Sequence, residues 1–191
     1  MTTFLENENI KLRALEPEDL DVVYEWENDT QLWHLGGTMA PYSRYELKQY
    51  ILSTKDIYEA KQLRLIIEKK FYKDNSSTVT LDNGDNDMPV RVGLIDLYDF
   101  DPHNRRAAIG ILIDKAFQMK GLAGEALSLL CKYAFSFLKI HQLYAYIPVK
   151  NEPSVKLFSR HGFAKRGQLP DWVQTDDGYE DVLFVSLISD L

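Results

Sequence analysis

Cysteine is almost missing. Cys131 is the only one in 191 residues, so the chain can form no internal disulfide, and a cysteine-based metal site is excluded. Its place in an apolar helical pattern suits an inert core residue, because a reactive thiolate needs an electropositive, partly exposed setting. Histidine is scarce as well. His34, His103, His141 and His161 fall at no i, i+4 ligand spacing, so no metal is expected. No apolar run reaches the roughly 18 residues of a membrane helix, and Glu6 and Glu8 stand where a secretory leader would be basic and then apolar. A cytoplasmic protein with no membrane partner is expected. A basic surplus is lacking too: 22 Lys and Arg against 29 Asp and Glu leave −7. That argues against a nucleic-acid partner, since phosphate neutralisation needs Lys and Arg on the binding face.

What is present suits one folded unit. A length of 191 residues, against roughly 150 per domain, predicts a single domain over 1–191. With 45% hydrophobic and 12% aromatic residues the chain can bury a substantial core. The charge is unevenly spread. Residues 1–29 hold nine acids against Lys11 and Arg13, a net of −7. From His103 to Arg166 eleven Lys or Arg face Asp114, Glu125 and Glu152, a net of +8. Residues 167–191 carry six acids and no Lys or Arg. A basic middle between acidic ends fits a polyanion at one site and a cation at another, and equally fits solvated helix faces.

Periodicity predicts the elements. Ile10 to Ala14 alternates as a short strand. Pro17 opens a helix to about Asn28, with Leu15 placed to staple against Leu20. Ser43 and Glu46 have capping-box spacing for a second helix carrying Leu47, Tyr50 and Ile51. Gln62 to Tyr72 reads as a strand, and residues 73–89 as a polar hairpin or loop insertion. Val90–Phe100 and Arg105–Ile113 are strands joined by a turn at Asp101-Pro102. Leu122 to Leu138 is the clearest amphipathic helix. Gln142 to Val149 is a buried strand, Pro153 opens a helix capped by Gly162, and Phe163–Arg166 and Val182–Ile188 are closing strands.

Chemistry concentrates where a strand, Ile109-Gly110-Ile111-Leu112-Ile113, leads through Gln118-Met119-Lys120-Gly121-Leu122-Ala123-Gly124 into the long helix. Glycines at a helix start let backbone approach a ligand closely, and the free N–H groups with the positive helix end make an anion site suited to a pyrophosphate. A glycine-softened turn explains the same residues equally well. The Gly-x-Gly-x-x-Gly of a Rossmann site and the Gly-Lys-Ser/Thr of a P-loop are both absent.

Gln118 to Ala123 resembles the acetyl-CoA pyrophosphate signature of the GNAT N-acetyltransferases. Asn151, Ser154, Leu157-Phe158 and His161-Gly162-Phe163 follow at the spacing of that family's second motif. Ile10-Lys11-Leu12-Arg13, Glu16-Pro17-Glu18-Asp19-Leu20, Gly93-Leu94-Ile95-Asp96 and Arg105-Arg106-Ala107 are similar to the branch holding spermidine acetyltransferases and ribosomal-protein N-terminal acetyltransferases. The likeness spans nearly the whole chain outside 73–89.

The resemblance implies an α/β (α+β) fold: a mixed, mostly antiparallel sheet of about seven strands flanked by about four helices. It implies a splay between the strands ending at Ile113 and Val149, with acetyl-CoA in the gap as co-substrate. Backbone groups of Ile111, Leu112 and Ile113 would pair with the pantetheine arm. Amides from Met119 to Gly124, after Gln118, would take the pyrophosphate. Asn151 would reach the cofactor, and Ser154 and Phe158 would line its thiol end. A small-molecule amine would attack the thioester directly, and relatives form dimers or larger rings, so a homo-oligomer is compatible.

Two departures stand out. Phe158 occupies the position where many relatives have a Tyr that protonates the thiolate, and Ala108 the position where many have a carboxylate. Asp96, in an apolar strand, is costly there unless paired or functional, and is the candidate base or amine anchor. Tyr98 shares its strand face, and Tyr144 and Tyr146 are further donors. Trp33, Trp172 and Tyr179 are candidate walls of an amine pocket, and Glu25 and Glu27 candidate attractors; packing and solvation explain each as well. The expected activity is acetyl transfer to a small cationic amine, a polyamine. The rivals are N-terminal acetylation of a protein and a non-catalytic acyl-CoA-binding protein.

Overall fold

The computed structural model describes residues 4–36, 38–53, 56–70 and 89–189, with backbone alone for 34–36. Strand β1 (Ile10–Arg13) leads through a 3-10 turn (Pro17–Asp19) into α1 (Leu20–Glu27), α2 (Thr30–Gly36), α3 (Arg44–Leu52) and α4 (Ile57–Ala60). Then come β2 (Leu63–Lys69), β3 (Val90–Asp101), β4 (Arg106–Ile113), α5 (Leu122–Ser136) and β5 (Gln142–Pro148). The chain ends in α6 (Glu152–Arg160), β6 (Ala164–Thr175) and β7 (Gly178–Ile188). The polar insertion expected at 73–89 lies outside the described residues apart from Pro89.

The seven strands form one sheet in the order β1-β2-β3-β4-β5-β7-β6, antiparallel except where β4 meets β5. That parallel ladder is short. Arg106 pairs with Gln142, Ala107 with Leu143 and Ala108 with Tyr144, and there it stops. Ile109–Ile113 continues to pair with β3, and Ala145–Pro148 with β7, so the sheet opens between β4 and β5 along their C-terminal halves.

Each face of the sheet has its own core. On one, Leu65, Ile67, Ile95, Leu97, Ala107, Ile109, Leu143 and Ala145 pack with Leu122, Ala126, Leu127, Leu130 and Ala134 of α5. Burying each such leucine contributes about 1.5–3 kcal/mol. On the other, Ile66, Leu94 and the partly buried Leu112 meet Leu15, Val23 and Trp26 beside α1 and Leu47 and Ile51 of α3. Strand alternation sends neighbours such as Ile66 and Ile67 to opposite faces. Leu20 packs into this second core with Leu15, as a hydrophobic staple requires. The Ser43 hydroxyl accepts from the Glu46 amide at 3.1 Å and the Glu46 carboxylate from the Ser43 amide at 2.8 Å, completing the expected capping box.

Six helices stand among the described residues where about four were expected. The additional ones are short: α4 has four residues, held by Asp56 Oδ1 accepting from the Tyr58 and Glu59 amides at 2.8 and 3.0 Å. So brief a helix leaves no 3.6-residue pattern to read. The last two strands are the larger correction. β6 and β7 run 12 and 11 residues, well beyond the expected Phe163–Arg166 and Val182–Ile188. Their outer half pairs only with itself.

A buried ion network pins the N-terminal segment to the sheet. Asp19 is fully buried, and its carboxylate accepts from Arg13 Nη1 and Nη2 at 2.7 and 2.9 Å, Arg91 Nε at 2.6 Å and the Glu16 amide at 2.8 Å. Arg13 Nε also donates to Glu68 at 2.5 Å. Burial pushes the Asp19 carboxyl up, and the bonds from Arg13, the Glu16 amide and Arg91 outweigh it, leaving it below the ordinary Asp value. A depressed native value stabilises the fold above the unfolded value near 3.9, and that contribution fades as pH falls through the native one. Asp19→Asn is expected to lower unfolding free energy by ~3 kcal/mol at neutral pH, because two arginines lose their partner. In urea titrations the gap to the parent protein should narrow as the pH falls below the ordinary Asp value and through the depressed native one.

Candidate active site

At the end of β4 the chain turns through Asp114–Gly121. Asp114 Oδ1 accepts from the Ala116 amide at 2.8 Å, fixing a 3-10 turn (Lys115–Phe117), and its Oδ2 accepts from Trp26 Nε1 at 2.8 Å. Gln118 Nε2 donates to the Ile113 carbonyl at 3.1 Å, and Lys120 Nζ to the Ala116 carbonyl at 2.8 Å. Met119 and Gly121 take left-handed backbone, φ +60° and +80°. Gly121 caps α5 without a side chain, and a Cβ there would have no heavy atom within 4 Å. The Gly124 and Glu125 amides fold back onto the Gly121 carbonyl at 3.0 and 3.2 Å. Helix geometry leaves the Leu122 and Ala123 amides without an intrahelical acceptor, at the positive end of a 15-residue helix. The free space at Gly121 and these amides fit a pyrophosphate.

Across the opening, Asn151 caps α6. Its Oδ1 accepts from the Ser154 amide at 3.2 Å. Ser154 is half-buried beside it. Phe158 is 3% exposed and meets Phe163 edge-on at 4.9 Å, so its ring belongs to the main core.

Between β3, β4 and β5 the sheet face that carries α1 and α3 has a small-residue floor. In the ladder Tyr98 stands opposite Ala108, and Ala108 opposite Tyr144. A Cβ on Gly110 would lie 3.6 Å from the Tyr98 ring. Tyr144, Tyr146 and Phe184 form a cluster with centroids 5.4–5.7 Å apart. Burial pushes the Tyr98 hydroxyl up to about 12, with nearby Asp99 adding to it. Tyr144 moves in the same direction, again chiefly through burial. Asp99 is exposed and held at φ +50°.

Asp96 has a partner. Arg64 Nε donates to its Oδ1 and Oδ2 at 3.0 and 3.1 Å, Nη2 to Oδ2 at 2.8 Å, and Nη1 to Glu27 Oε1 at 2.6 Å. Burial raises the Asp96 carboxyl above the ordinary Asp value against the opposing pull of Arg64. Both oxygens are thus committed to a guanidinium. Sequence reading flagged Asp96 and Glu27 separately and missed Arg64, which lies far away in the chain and becomes a neighbour only through the β2–β3 register.

The acceptor candidates lie on separate elements. Trp33, on α2, donates from Nε1 to the Glu27 carbonyl at 2.9 Å. Trp172 and Tyr179 are 60% and 64% exposed on the β6–β7 hairpin, and β6 runs alongside α2. A cavity of about 210 Å³ opens at the end of β4, lined by Trp26, Leu112, Ile113 and the acids Glu25, Asp29 and Asp114. Lys115 ties Asp29 across it at 2.8 Å. Asp29, Asp114 and Lys115 had drawn no attention in the sequence as lining residues, because nothing in the spacing of α1 and β4 shows that they meet.

Residues 9–164 match the family described as an acetyltransferase (GNAT) domain. The chain therefore belongs to the GNAT acetyltransferases, the acetyl-CoA-dependent N-acetyltransferases. It is 28% identical over 162 residues to the spermidine N(1)-acetyltransferase of Escherichia coli, covering 84% of this chain and 76% of that protein. It is 26% identical over 188 residues to the putative ribosomal N-acetyltransferase YdaF of Bacillus subtilis, covering 98% and 96%. The crystal structure of spermidine N-acetyltransferase from Vibrio cholerae in complex with CoA and spermine superposes with a TM-score of 0.77 at 24% identity, over 95% of this chain and 96% of that one. That likeness shows the fold.

Replacing Gly121 with Glu sets a side chain at φ +80° and a negative charge in the anion turn. The dissociation constant for CoA, measured by calorimetry, is expected to rise about 100-fold or more, the several kcal/mol of an opposed like charge. Unchanged affinity would remove the pyrophosphate from this turn.

Proposed function

We propose that this chain acetylates a primary amine of a small cation, a polyamine, in the cytoplasm. One observation carries the choice of acceptor: the cavity that touches Leu112 and Ile113 is also lined by three acids, Glu25, Asp29 and Asp114, against one cation, Lys115. Carboxylates there concentrate a cationic amine beside the strand that pairs with the pantetheine arm. The spermidine acetyltransferase relative supports the same choice.

Acetyl-CoA supplies an activated acyl group on a thiol leaving group, and the chain's own residues bind, orient and handle protons around it. Amides from Met119 to Ala123 would hold the pyrophosphate, the Gly124 amide being turned back onto the Gly121 carbonyl; backbone groups of Ile111–Ile113 would align the arm, and Asn151 and Ser154 would border it. With Ala108 and Phe158 at their positions, neither a carboxylate nor a phenol acts from there. Tyr98 takes the proton-handling role. A hydroxyl pushed up to about 12 stays protonated near neutral pH, which suits a hydrogen-bond donor to the departing thiolate more than a strong acid. Asp96, on the same strand face, has both oxygens held by Arg64 and positions β3 against β2 rather than meeting the amine. Self-association as a dimer or larger ring belongs to this reading, since β6 leaves the sheet with an open edge.

Thiol release from acetyl-CoA should saturate with spermidine, spermine or a short diamine, with heat-killed protein silent. Saturation by peptides with free N-termini instead would favour the ribosomal-protein type of acceptor. Tyr98→Phe is expected to lower kcat about 100-fold with the KM for the amine nearly unchanged, the low end of general acid help. A kcat equal to the parent's would remove Tyr98 from the chemistry.

A further inference from the structure

His161 follows the last turn of α6, and both of its ring nitrogens face carbonyl oxygens. Nδ1 lies 2.7 Å from the Leu157 carbonyl, in the final turn of α6, and Nε2 lies 3.0 Å from the Gly124 carbonyl, in the first turn of α5. A carbonyl oxygen only accepts. A neutral imidazole has one N–H, so in that form one of these contacts would press a nitrogen lone pair against an oxygen lone pair. The imidazolium has two N–H groups and satisfies both. The negative end of the α6 dipole at Leu157 favours that charge.

The contact depends on a glycine. A Cβ at residue 124 would stand 3.3 Å from His161 Cε1 and 3.5 Å from Nε2, so the ring lies against the bare Cα of the anion turn. A side chain at 124 would therefore press on the histidine ring.

We infer that His161 is a positioning residue that, as an imidazolium, clamps the C-terminus of α6 to the pyrophosphate-binding turn of α5 and couples acetyl-CoA affinity to its own protonation. The inference rests on the reading of that turn as the pyrophosphate site. The charged groups on the packed elements are few. On α5, Glu125 accepts from Asn7 and Asn9. On α6, Lys156 pairs with Glu152 at 2.7 Å and Arg160 stands one residue before the ring. The nearest side chain of β7 to Gly162 is the apolar Leu187. The two α6 cations and the positive end of α5 oppose protonation, while Glu125, Glu152, the negative end of α6 and the two carbonyls favour it. Deprotonation costs one of the two bonds and removes a positive charge beside the anion turn.

Two measurements test this. In the free protein, imidazole nitrogen NMR over a pH series, with His161 assigned by its loss in His161→Gln, should show both nitrogens protonated at the acid end and one released on going to the alkaline end. A single neutral tautomer throughout would overturn the clamp whatever acetyl-CoA does. Calorimetry with acetyl-CoA should show affinity falling about 10-fold across the same interval, the scale of losing one charge-assisted hydrogen bond. The fall should vanish in His161→Gln, which keeps one amide donor, and in turnover assays that variant should raise the KM for acetyl-CoA and spare kcat. An equal fall in parent and variant would overturn the coupling. Absence of acetyl-CoA binding in the parent would sink the reading of the anion turn, and the coupling with it, while the NMR result still decided the charge on the ring.

Discussion

A parallel pair of strands that separates after three residue pairs leaves backbone groups along both lips with no partner strand, and the molecule is arranged around that opening. β4 and β5 share only Arg106–Ala108 with Gln142–Tyr144. Past that point β4 still has β3 and β5 still has β7, so each lip is anchored on its outer side. The inner N–H and C=O groups must then meet water or a ligand that offers alternating donors and acceptors. The capped start of α5 follows the β4 lip behind Gly121, and that of α6 follows the β5 lip behind Asn151. A wedge between strands and a positive helix end at its mouth suit a long co-substrate with an amide-bearing arm and an anionic head.

Charge is used differently on either side of that wedge. Away from it, Asp19 with Arg13 and Arg91, and Asp96 with Arg64 and Glu27, are closed on themselves. Such groups hold elements in register because separating either partner strands a buried charge. Near the wedge the acids are arranged more loosely: Glu25 is exposed, and among the described residues Asp29 is bound by Lys115 and local backbone. The −7 counted over residues 1–29 therefore divides into structural acids, such as Asp19 and Glu27, and available ones, such as Glu25. Composition alone could not make that division.

Much of the fold was legible in the sequence because it is locally encoded. The α5 stripe, the Ser43–Glu46 box, Pro153 in the first turn of α6 and Gly162 after its end, at φ +84°, all report on neighbours a few residues away. The glycine loop was legible for the same reason. The length of β6 was not. Its residues are mostly exposed and follow no alternation, because half of the hairpin reaches beyond the sheet and has no core face to mark. Partnerships across the sheet were hidden as well. Asp96 looked like a lone carboxylate in an apolar strand until the β2–β3 register set Arg64 beside it. His161 read as part of a helix end, and only the packing of α6 on α5 gave its second nitrogen a partner.

The two departures from the family pattern become intelligible together once the trough on the sheet is considered. Ala108 lies in the ladder between Tyr98 and Tyr144, and Gly110 lies under the Tyr98 ring. A carboxylate at 108 would stand between two phenols whose hydroxyls burial already keeps neutral, and the same burial would penalise its charge. Small residues there leave room for aromatic walls, which attract an ammonium group through their π faces without requiring a fixed anion. In the proposed reading, attraction of a cation over distance then falls to the acids at the end of β4, and proton handling to neutral hydroxyls. Coenzyme A thiolate leaves tolerably well near neutral pH, so in the proposed reading a hydrogen bond from Tyr98 stands in where a phenol at 158 is lacking. Separating long-range attraction from proton transfer also frees Asp96 for its structural bond to Arg64, which a base that must gain and lose a proton could not keep.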